Sequence, residues 1–178
     1  MKHDIIIIGG DSSDALLAKS MVEKGYRTLL ICGGRLSADN SREEFRKAGG
    51  TLLMSDKVSE VEWDGAKIAA LKTENLKSTR LQADRYILCS GRFFTRGLLS
   101  DDSRIWEPVF GVDVQFEPDR SKWCNEDFFA EQPFESFGVE VAADGRALKN
   151  GAVVENLWVC GEVLCDKQDN KELICKSF

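Results

Sequence analysis

A glycine-containing turn near the start of the chain is the first place where residue types and spacing point to chemistry. An apolar run, Ile5–Ile8, leads into Gly9, and the G-x-G-x-x-G pattern of dinucleotide-binding turns can be aligned from that glycine. In this register the second and third glycine positions carry Asp11 and Asp14. Such turns present backbone N–H groups and a helix N-terminus to a pyrophosphate, and two carboxylates there repel that anion. The sequence therefore predicts a dinucleotide-binding fold with a weakened nucleotide site.

Two interpretations of this turn stay open in the sequence. In the first, the turn contacts the phosphates of a cofactor through four residues: Gly9, Gly10, Asp11 and Ser12. In the second, the glycines only make the tight turn that a strand–helix unit needs. Asp11 is then the N-cap of the helix, and Asp14 is a first-turn acid that the helix dipole favours. The second interpretation accounts for both carboxylates without a ligand.

Apolar periodicity predicts the elements that position this turn. We expect a buried strand over Lys2–Ile8, a helix over Asp14–Lys24 that ends at Gly25, and a second buried strand over Thr28–Cys32. An acidic residue after the second strand would hold ribose hydroxyls, but the chain continues there with Gly33-Gly34. The pattern predicts the opening of a βαβ unit that lacks this part of its cofactor site.

The rest of the chain continues with extended segments. A short helix is predicted over Ser41–Ala48, ended by Gly49-Gly50. A three-strand meander follows, with an Asp64-Gly65 hairpin turn. The predicted strands are Thr51–Ser55, Lys57–Trp63 and Lys67–Thr73 in the meander, then Leu81–Ala83, Arg85–Ser90 and Val154–Cys160. We expect one domain over 1–178, made of a βαβ start (1–34), the meander and return strand (51–91), a mixed appendage (92–150) and a closing segment (151–178).

The bulk composition argues against several classes of function. The chain has 178 residues, with the hydrophobic and charged content of an ordinary globular domain. A net charge of −6 leaves no basic stripe to neutralise phosphates, which excludes nucleic acid as a partner. The apolar run Ile5–Ile8 is far short of the ~20 residues of a membrane helix. We therefore expect a cytoplasmic protein without a membrane span.

Side chains that commonly catalyse reactions or bind metals are sparse. The single histidine, His3, lies next to the chain start, which argues against histidine general-base and nucleophile pairs. Cys32, Cys89 and Cys160 end apolar strand patterns, where cysteine behaves as a small hydrophobic residue. The closest pair, Cys160 and Cys165, lacks the spacing typical of metal and iron–sulfur sites. We expect free thiols and no metal site.

The order of elements resembles that of flavoproteins with two dinucleotide-binding domains. In those proteins a Ser/Thr-Gly pair after the meander lies near the flavin nucleotide, and a late Gly-Asp or Gly-Glu pair reaches toward the ribityl chain. The matching pairs here are Ser90-Gly91 and Gly161-Glu162. Glu162 is alternatively a surface carboxylate at a strand end. The resemblance implies an α/β, Rossmann-like FAD/NAD(P)-binding domain with a parallel sheet and a β-meander, plus a small α+β appendage.

Four ordered blocks between Leu81 and Leu164 carry a more specific resemblance. They are SGRFF from Ser90, EPVFGVD from Glu107, DFFAEQP from Asp127 with the preceding Trp123, and ENL from Glu155. In this order they resemble the B subunit of anaerobic glycerol-3-phosphate dehydrogenase, although this chain is strongly shortened. Its missing central region would fall between Gly34 and Arg35, and a family helix that closes the cofactor site is absent from the sequence after Leu164.

The resemblance implies a flavin-linked oxidoreductase subunit. The family oxidises sn-glycerol 3-phosphate to dihydroxyacetone phosphate and passes electrons to quinones. It does so in a complex whose A subunit is catalytic and whose C subunit is an iron–sulfur protein at the inner membrane. FAD or FMN would be the cofactor, and no residue of this chain is assigned a catalytic role. The alternative is a cofactor-free structural or interaction subunit, including a homo-oligomer, with a decayed dinucleotide site.

Two further groups of residues have open roles. Arg92 and Arg96 either bind a phosphate, belong to a solvated face or form ion pairs with Asp101 and Asp102. A set of large rings either packs the core or lines a flavin or a subunit interface. These rings belong to Phe93, Phe94, Trp106, Phe110, Trp123, Phe128, Phe129, Phe134 and Phe137.

Overall fold

The computed structural model describes residues 2–33, 40–165 and 170–178. The elements in chain order are β1 (Lys2–Gly9), α1 (Ser12–Glu23), β2 (Thr28–Cys32), α2 (Ser41–Lys47), β3 (Thr51–Met54), β4 (Val58–Asp64), β5 (Lys67–Thr73), β6 (Gln82–Leu88), β7 (Leu99–Ser100), β8 (Ile105–Trp106), β9 (Val114–Gln115), β10 (Gly138–Val139), β11 (Arg146–Lys149), β12 (Ala152–Val159) and α3 (Lys171–Ser177). Single 3₁₀ turns occupy Arg120–Lys122, Pro133–Ser136 and Gly161–Val163.

A six-stranded sheet in the order β11-β12-β6-β1-β2-β3 forms the centre of the molecule. Five of its strands are parallel, and β11 joins the edge antiparallel to β12. The second half of the middle strand β1, Ile5–Ile8, is aliphatic and buried because both of its faces are covered. In register, Ile6 pairs with Leu29 on one side and Tyr86 on the other.

The two faces of the sheet pack against different layers. Ile5 and Ile7 of β1 point into a cluster with the helices, which contribute Met21, Phe45 and Ile174. The intervening isoleucines of β1 point the other way, toward the β4–β5 hairpin and the segment 92–150. Alternation along one strand therefore builds a helical layer and a second layer on opposite faces, as the predicted fold class requires.

The meander differs from its prediction. β3 pairs in parallel with β2 and so belongs to the central sheet, whereas the prediction placed Thr51–Ser55 in the meander. The meander itself is the antiparallel β4–β5 hairpin, extended by one bridge between Leu71 and Leu81. The four residues of β3 do not reveal their partner strand, which in the structure is the fully buried β2.

The end of the chain also differs from the expectation. A short helix, α3, follows β12 where the resemblance implied the loss of a closing helix, and its Ile174 is fully buried. The expected position of the missing central region, between Gly34 and Arg35, lies outside the described residues. None of the described helices is both long and apolar enough to cross a membrane.

Candidate cofactor site

A cavity of about 520 Å³ lies at the carboxyl edge of the parallel sheet, where β1, β6 and β12 end. Ligands of open α/β sheets bind at this edge, and this volume is within the usual range for small-molecule pockets. Four distant chain segments, one of them represented by Glu135 alone, and α3 line it. Among the lining residues are Asp11, Asp14, Gly91, Arg92, Glu162 and Lys171.

The Asp14 carboxylate occupies the anion position of the glycine turn. Its Oδ2 accepts hydrogen bonds from the backbone N–H groups of Gly10 at 2.8 Å and Asp11 at 3.1 Å. In return, Asp11 Oδ1 accepts the N–H of Asp14 at 2.8 Å, which completes a capping box at the start of α1. The donors that would hold a phosphate are therefore bonded within the chain.

Burial gives the two carboxylates of the box different acidities. Burial, assisted by the nearby Asp11, raises the pKa of Asp14 from 3.8 to about 7, against the opposing effect of its backbone hydrogen bonds. The pKa of Asp11 is lowered instead. Burial alone would raise it, but hydrogen bonds from Ser13 and from the N–H of Asp14 have the larger combined effect. A proton held by this pair resides on Asp14.

Lys171, the first residue of α3, brings a positive charge to the same place. Its Nζ donates to Ser13 Oγ in the first turn of α1. Burial lowers the pKa of Lys171, but the charges of Asp14 and Asp11 outweigh that effect and leave it raised. The ammonium group balances the acidic pair and lies in the wall of the cavity.

Arg92 connects the loops that follow β6 and β12. Its Nε donates to the carbonyl of Glu162, and its Nη2 donates to the carbonyl of Leu164 at 2.9 Å. Gly91 and Gly161 have positive φ angles of +71° and +77°, which glycine adopts without strain. These contacts fix the wall of the cavity that lies opposite α1 and keep one guanidinium group in that wall.

The structure brings together half of the predicted site residues. Of the eight, the cavity wall contains Asp11, Gly91, Gly161 and Glu162. The other four lie within two positions in the sequence of a residue in the wall. They are Gly9, Gly10, Ser12 and Ser90. Gly9 lies beneath the Asp14 side chain, since a Cβ atom on it would be 2.5 Å from Asp14 Oδ2. Cofactor contact by the eight residues stays a prediction.

The sequence analysis did not select several residues of this wall. Cys89 could have been found from its place directly before the Ser90-Gly91 pair, and Lys171 had no local signal. Of the two arginines considered, Arg92 lines the cavity, and its described hydrogen bonds go to carbonyl groups. One of the open alternatives paired Asp101 with Arg92 or Arg96, but the structure pairs it with Arg104 at 3.2 Å.

Comparison with known proteins decides the family. The FAD binding domain family matches residues 33–172 of the chain. The chain belongs to this family. The match supports FAD as the family's cofactor, and FMN, which the sequence left open, receives no support.

Two curated relatives of this FAD binding domain chain have the same name. The B subunit of anaerobic glycerol-3-phosphate dehydrogenase from Vibrio vulnificus strain YJ016 is 42% identical over 126 residues, which are 69% of this chain and 29% of that protein. The protein of the same name from Actinobacillus succinogenes is 37% identical over 139 residues, or 75% of this chain and 32% of that protein. The resemblance drawn from the sequence is thereby confirmed. The chain spans under a third of the length of these relatives.

Solved structures are more distant. The oxidoreductase from Agrobacterium tumefaciens is 19% identical, with a TM-score of 0.42, over 51% of this chain and 37% of that one.

The glycine turn does not fit the pyrophosphate of FAD as it stands. The N–H groups of Gly10 and Asp11 are bonded to Asp14, and two carboxylates face the place of the anion. Two cations suit an anionic ligand better than the turn does. Arg92 borders the cavity in the wall that contains Glu162, and Lys171 borders it beside α1. The chain therefore belongs to an FAD-binding family, but the N–H groups of its glycine turn are already bonded to a side chain of the same turn.

Proposed function

We propose that this chain is the cofactor-side part of a flavin oxidoreductase subunit of the anaerobic glycerol-3-phosphate dehydrogenase B type, with FAD in the cavity at the sheet edge. The observation that carries the proposal is the convergence of Asp11, Gly91, Gly161 and Glu162 on one cavity from three separate segments. When bound, FAD would supply two-electron redox chemistry. The chain's own residues bind and orient the cofactor.

In this proposal the reaction is oxidation of sn-glycerol 3-phosphate to dihydroxyacetone phosphate in a complex with subunits of the A and C type. The names of the relatives support it. We place the chain in the cytoplasm and its membrane contact in the partner subunits. No residue described in the cavity is assigned to the substrate.

Each wall has a distinct role in the proposed binding. Arg92 and Lys171 attract the phosphates, Gly91 and Gly161 allow close approach of the cofactor to the backbone, and Glu162 accepts from a ribityl hydroxyl. Asp14 weakens binding in its ionised form, because it then holds the loop donors and repels the anion.

The test compares two glycines of almost equal φ. Gly161→Ala adds a methyl group to the cavity wall at φ +77°, whereas Gly151→Ala adds one at φ +75° with no atom within 4 Å. The backbone strain is therefore matched and only the first methyl group enters the cavity. We expect Gly161→Ala to weaken FAD binding at least about 10-fold by fluorescence titration, a change of ~1.4 kcal/mol, with Gly151→Ala near wild type. Equal effects of both variants would contradict the proposed site.

A second candidate function is a cofactor-free interaction subunit. The observation that favours it is the capping box, in which Asp14 satisfies the N–H groups of Gly10 and Asp11 without any ligand. Wild-type protein that is colourless and takes up neither FAD nor FMN at millimolar concentration would support this candidate over the first. Uptake of FAD with a saturating stoichiometry would reject it.

A further inference from the structure

Two cysteines lie side by side where β6 and β12 end, and one of them, Cys89, lines the cavity. The last register pair of β6 and β12 is Leu88 with Val159, and the next residues are Cys89 and Cys160. The N–H of Cys160 donates to the carbonyl of Leu88 at 2.9 Å, so the two segments are still in register beyond the ends of β6 and β12. The Sγ atoms of Cys89 and Cys160 lie 2.7 Å apart. Neither sulfur belongs to a disulfide.

Adjacent paired strands have the backbone spacing that a disulfide needs. Adjacent strands are separated by roughly 4.8 Å, and the Cα atoms of disulfide-bonded residues are usually about 4.4–6.8 Å apart. The sulfur atoms need to approach by only about 0.7 Å to reach the ~2.04 Å of an S–S bond. Bond formation therefore requires a small side-chain adjustment and no change of strand pairing.

The two thiols differ in access to a reagent. Cys160 is fully buried, whereas Cys89 forms part of the cavity wall. Charged groups face Cys89 from α1 and α3. The ammonium group of Lys171 favours its thiolate, whereas burial, the neighbouring Cys160 and Asp14 disfavour it and leave its pKa raised. The pair is therefore slow to react, and a reagent reaches it through the cavity by way of Cys89.

We propose that Cys89 and Cys160 form a redox-active dithiol, which a small disulfide such as oxidised glutathione converts into an intramolecular disulfide. The Cys89 thiolate attacks one sulfur of the small disulfide, forms a mixed disulfide and releases one thiolate. The Cys160 thiolate then attacks the Cys89 sulfur, forms the Cys89–Cys160 bond and releases the second thiolate. The cysteines lose two electrons and two protons, and the small disulfide becomes two thiols. The inference does not depend on the cavity holding a flavin.

The experiment is a disulfide map of the whole chain. Reduced protein is incubated with millimolar oxidised glutathione at mildly alkaline pH, the remaining thiols are alkylated in denaturant, and the tryptic peptides are analysed by mass spectrometry. Cys89 lies in the peptide Tyr86–Arg92, and Cys160 lies in the peptide 150–167. We expect these two peptides to be linked, the count of free thiols to fall from six to four, and dithiothreitol to restore six.

Variants identify the bond. Because the peptide 150–167 also contains Cys165, the link must persist in Cys165→Ser and disappear in Cys160→Ser. Cys124→Ser, at an exposed position, is the matched control and must leave the map unchanged. The wild-type map decides the matter even where a core variant does not fold. Six alkylated thiols after oxidation, stable glutathione adducts without an internal bond, or a link that excludes Cys89 or Cys160 would overturn the proposal.

Discussion

At the first turn of α1, the Asp14 carboxylate accepts two N–H hydrogen bonds from the loop that precedes the helix. In a phosphate-binding turn these donors face the ligand, so the side chain here replaces a phosphate oxygen by a carboxylate oxygen. The pKa of Asp14 is raised to about 7 by burial, which makes this internal anion neutral in part at physiological pH. One residue thus determines both the stability of the turn and its capacity for an external anion.

The first prediction concerns the pH dependence that Asp14 gives to stability. Its pKa rises from 3.8 in the unfolded chain to about 7 in the folded chain, so folding favours the protonated form. This contribution is complete below the lower value and is lost as the pH rises through the higher one, a loss of about 4 kcal/mol for roughly three units. Asp14→Asn removes the titration. Urea unfolding should show a shallower decline of stability with pH in Asp14→Asn than in wild type.

The control for this prediction is the exposed Asp102. Asp102→Asn should leave the pH dependence of the unfolding free energy as it is in wild type. If Asp14→Asn and wild type lost stability in parallel between about pH 4 and pH 7, the titrating group would have to be another residue than Asp14.

The residues of this turn show how far sequence alone reaches. One of the two interpretations left open by the sequence had Asp11 as an N-cap and Asp14 as a first-turn acid, and the capping box agrees with it, because both roles depend on position in the chain. Lys171 could not be predicted, since it meets Ser13 from the other end of the chain through the packing of α3 on α1. The sequence also contains no sign of which carboxylate retains the proton, because that depends on burial.

At the scale of elements, α3 is short but is fixed by several contacts. Ile174 is fully buried against the helical layer, and the ring of Phe178 lies 5.2 Å from that of Trp158 and 4.5 Å from the guanidinium group of Arg85. Tyr26 donates its hydroxyl to the carbonyl of Phe178 at 3.2 Å. Docking of α3 therefore places Lys171 in the cavity wall.

The second prediction compares two neighbours on this helix. Ile174→Ala removes a buried side chain and should lower the unfolding free energy by about 2–3 kcal/mol, whereas Leu173→Ala, which is 40% exposed in wild type, should lower it by less than ~1 kcal/mol. Urea denaturation followed by circular dichroism measures both. Similar losses in the two variants would mean that α3 does not dock through Ile174.

The third prediction concerns the turn at Glu107, which anchors the segment after β8. The carboxylate is buried and accepts the N–H groups of Val109 at 2.8 Å, Phe110 at 2.6 Å and Gly111 at 3.0 Å. An amide side chain offers one oxygen and turns its NH₂ group toward at least one of these donors. Glu107→Gln should therefore cost about 1–3 kcal/mol of stability in thermal or urea unfolding.

The exposed Glu131 supplies the matched control for that turn. Glu131→Gln should change the unfolding free energy by less than ~0.5 kcal/mol, since exposed positions without such contacts are tolerant. A Glu107→Gln protein as stable as wild type would show that the three N–H groups do not need the carboxylate.

The type of each element, helix or strand, was predicted better than the strand with which it pairs. The helix α1 begins at Ser12 rather than Asp14 because its cap is Asp11, a shift within the usual uncertainty of helix ends. The strand β3 was recognised, but its partner was wrong, because pairing depends on the right-handed βαβ crossover rather than on its four residues. Features that depend on the local sequence were predicted, whereas features that depend on contacts between distant segments were not.

At the scale of the molecule, the nine large rings divide into three groups. Phe93, Trp106 and Phe134 are half-buried, and Phe94 is fully exposed with two others. Phe110, Trp123 and Phe137 are buried in the core beyond the hairpin layer, which matches the packing interpretation. Phe128 and Phe129 are 84% and 94% exposed and stack edge to face at 5.6 Å. The chain spans 29% of the length of its Vibrio vulnificus relative, so exposed rings of this kind fit the proposal of partner polypeptides.

The last prediction joins the cofactor proposal to the whole molecule's stability. A ligand that binds only the folded chain stabilises it by about 2.7 kcal/mol at 100 times its dissociation constant. Because Asp14 with a pKa of about 7 repels phosphates only when ionised, FAD should raise the melting temperature more at about pH 6 than at about pH 8. In Asp14→Asn the shift should be large and nearly equal at both pH values. A wild-type shift that is independent of pH would contradict the role of Asp14, and the absence of any shift in either protein would favour the cofactor-free subunit.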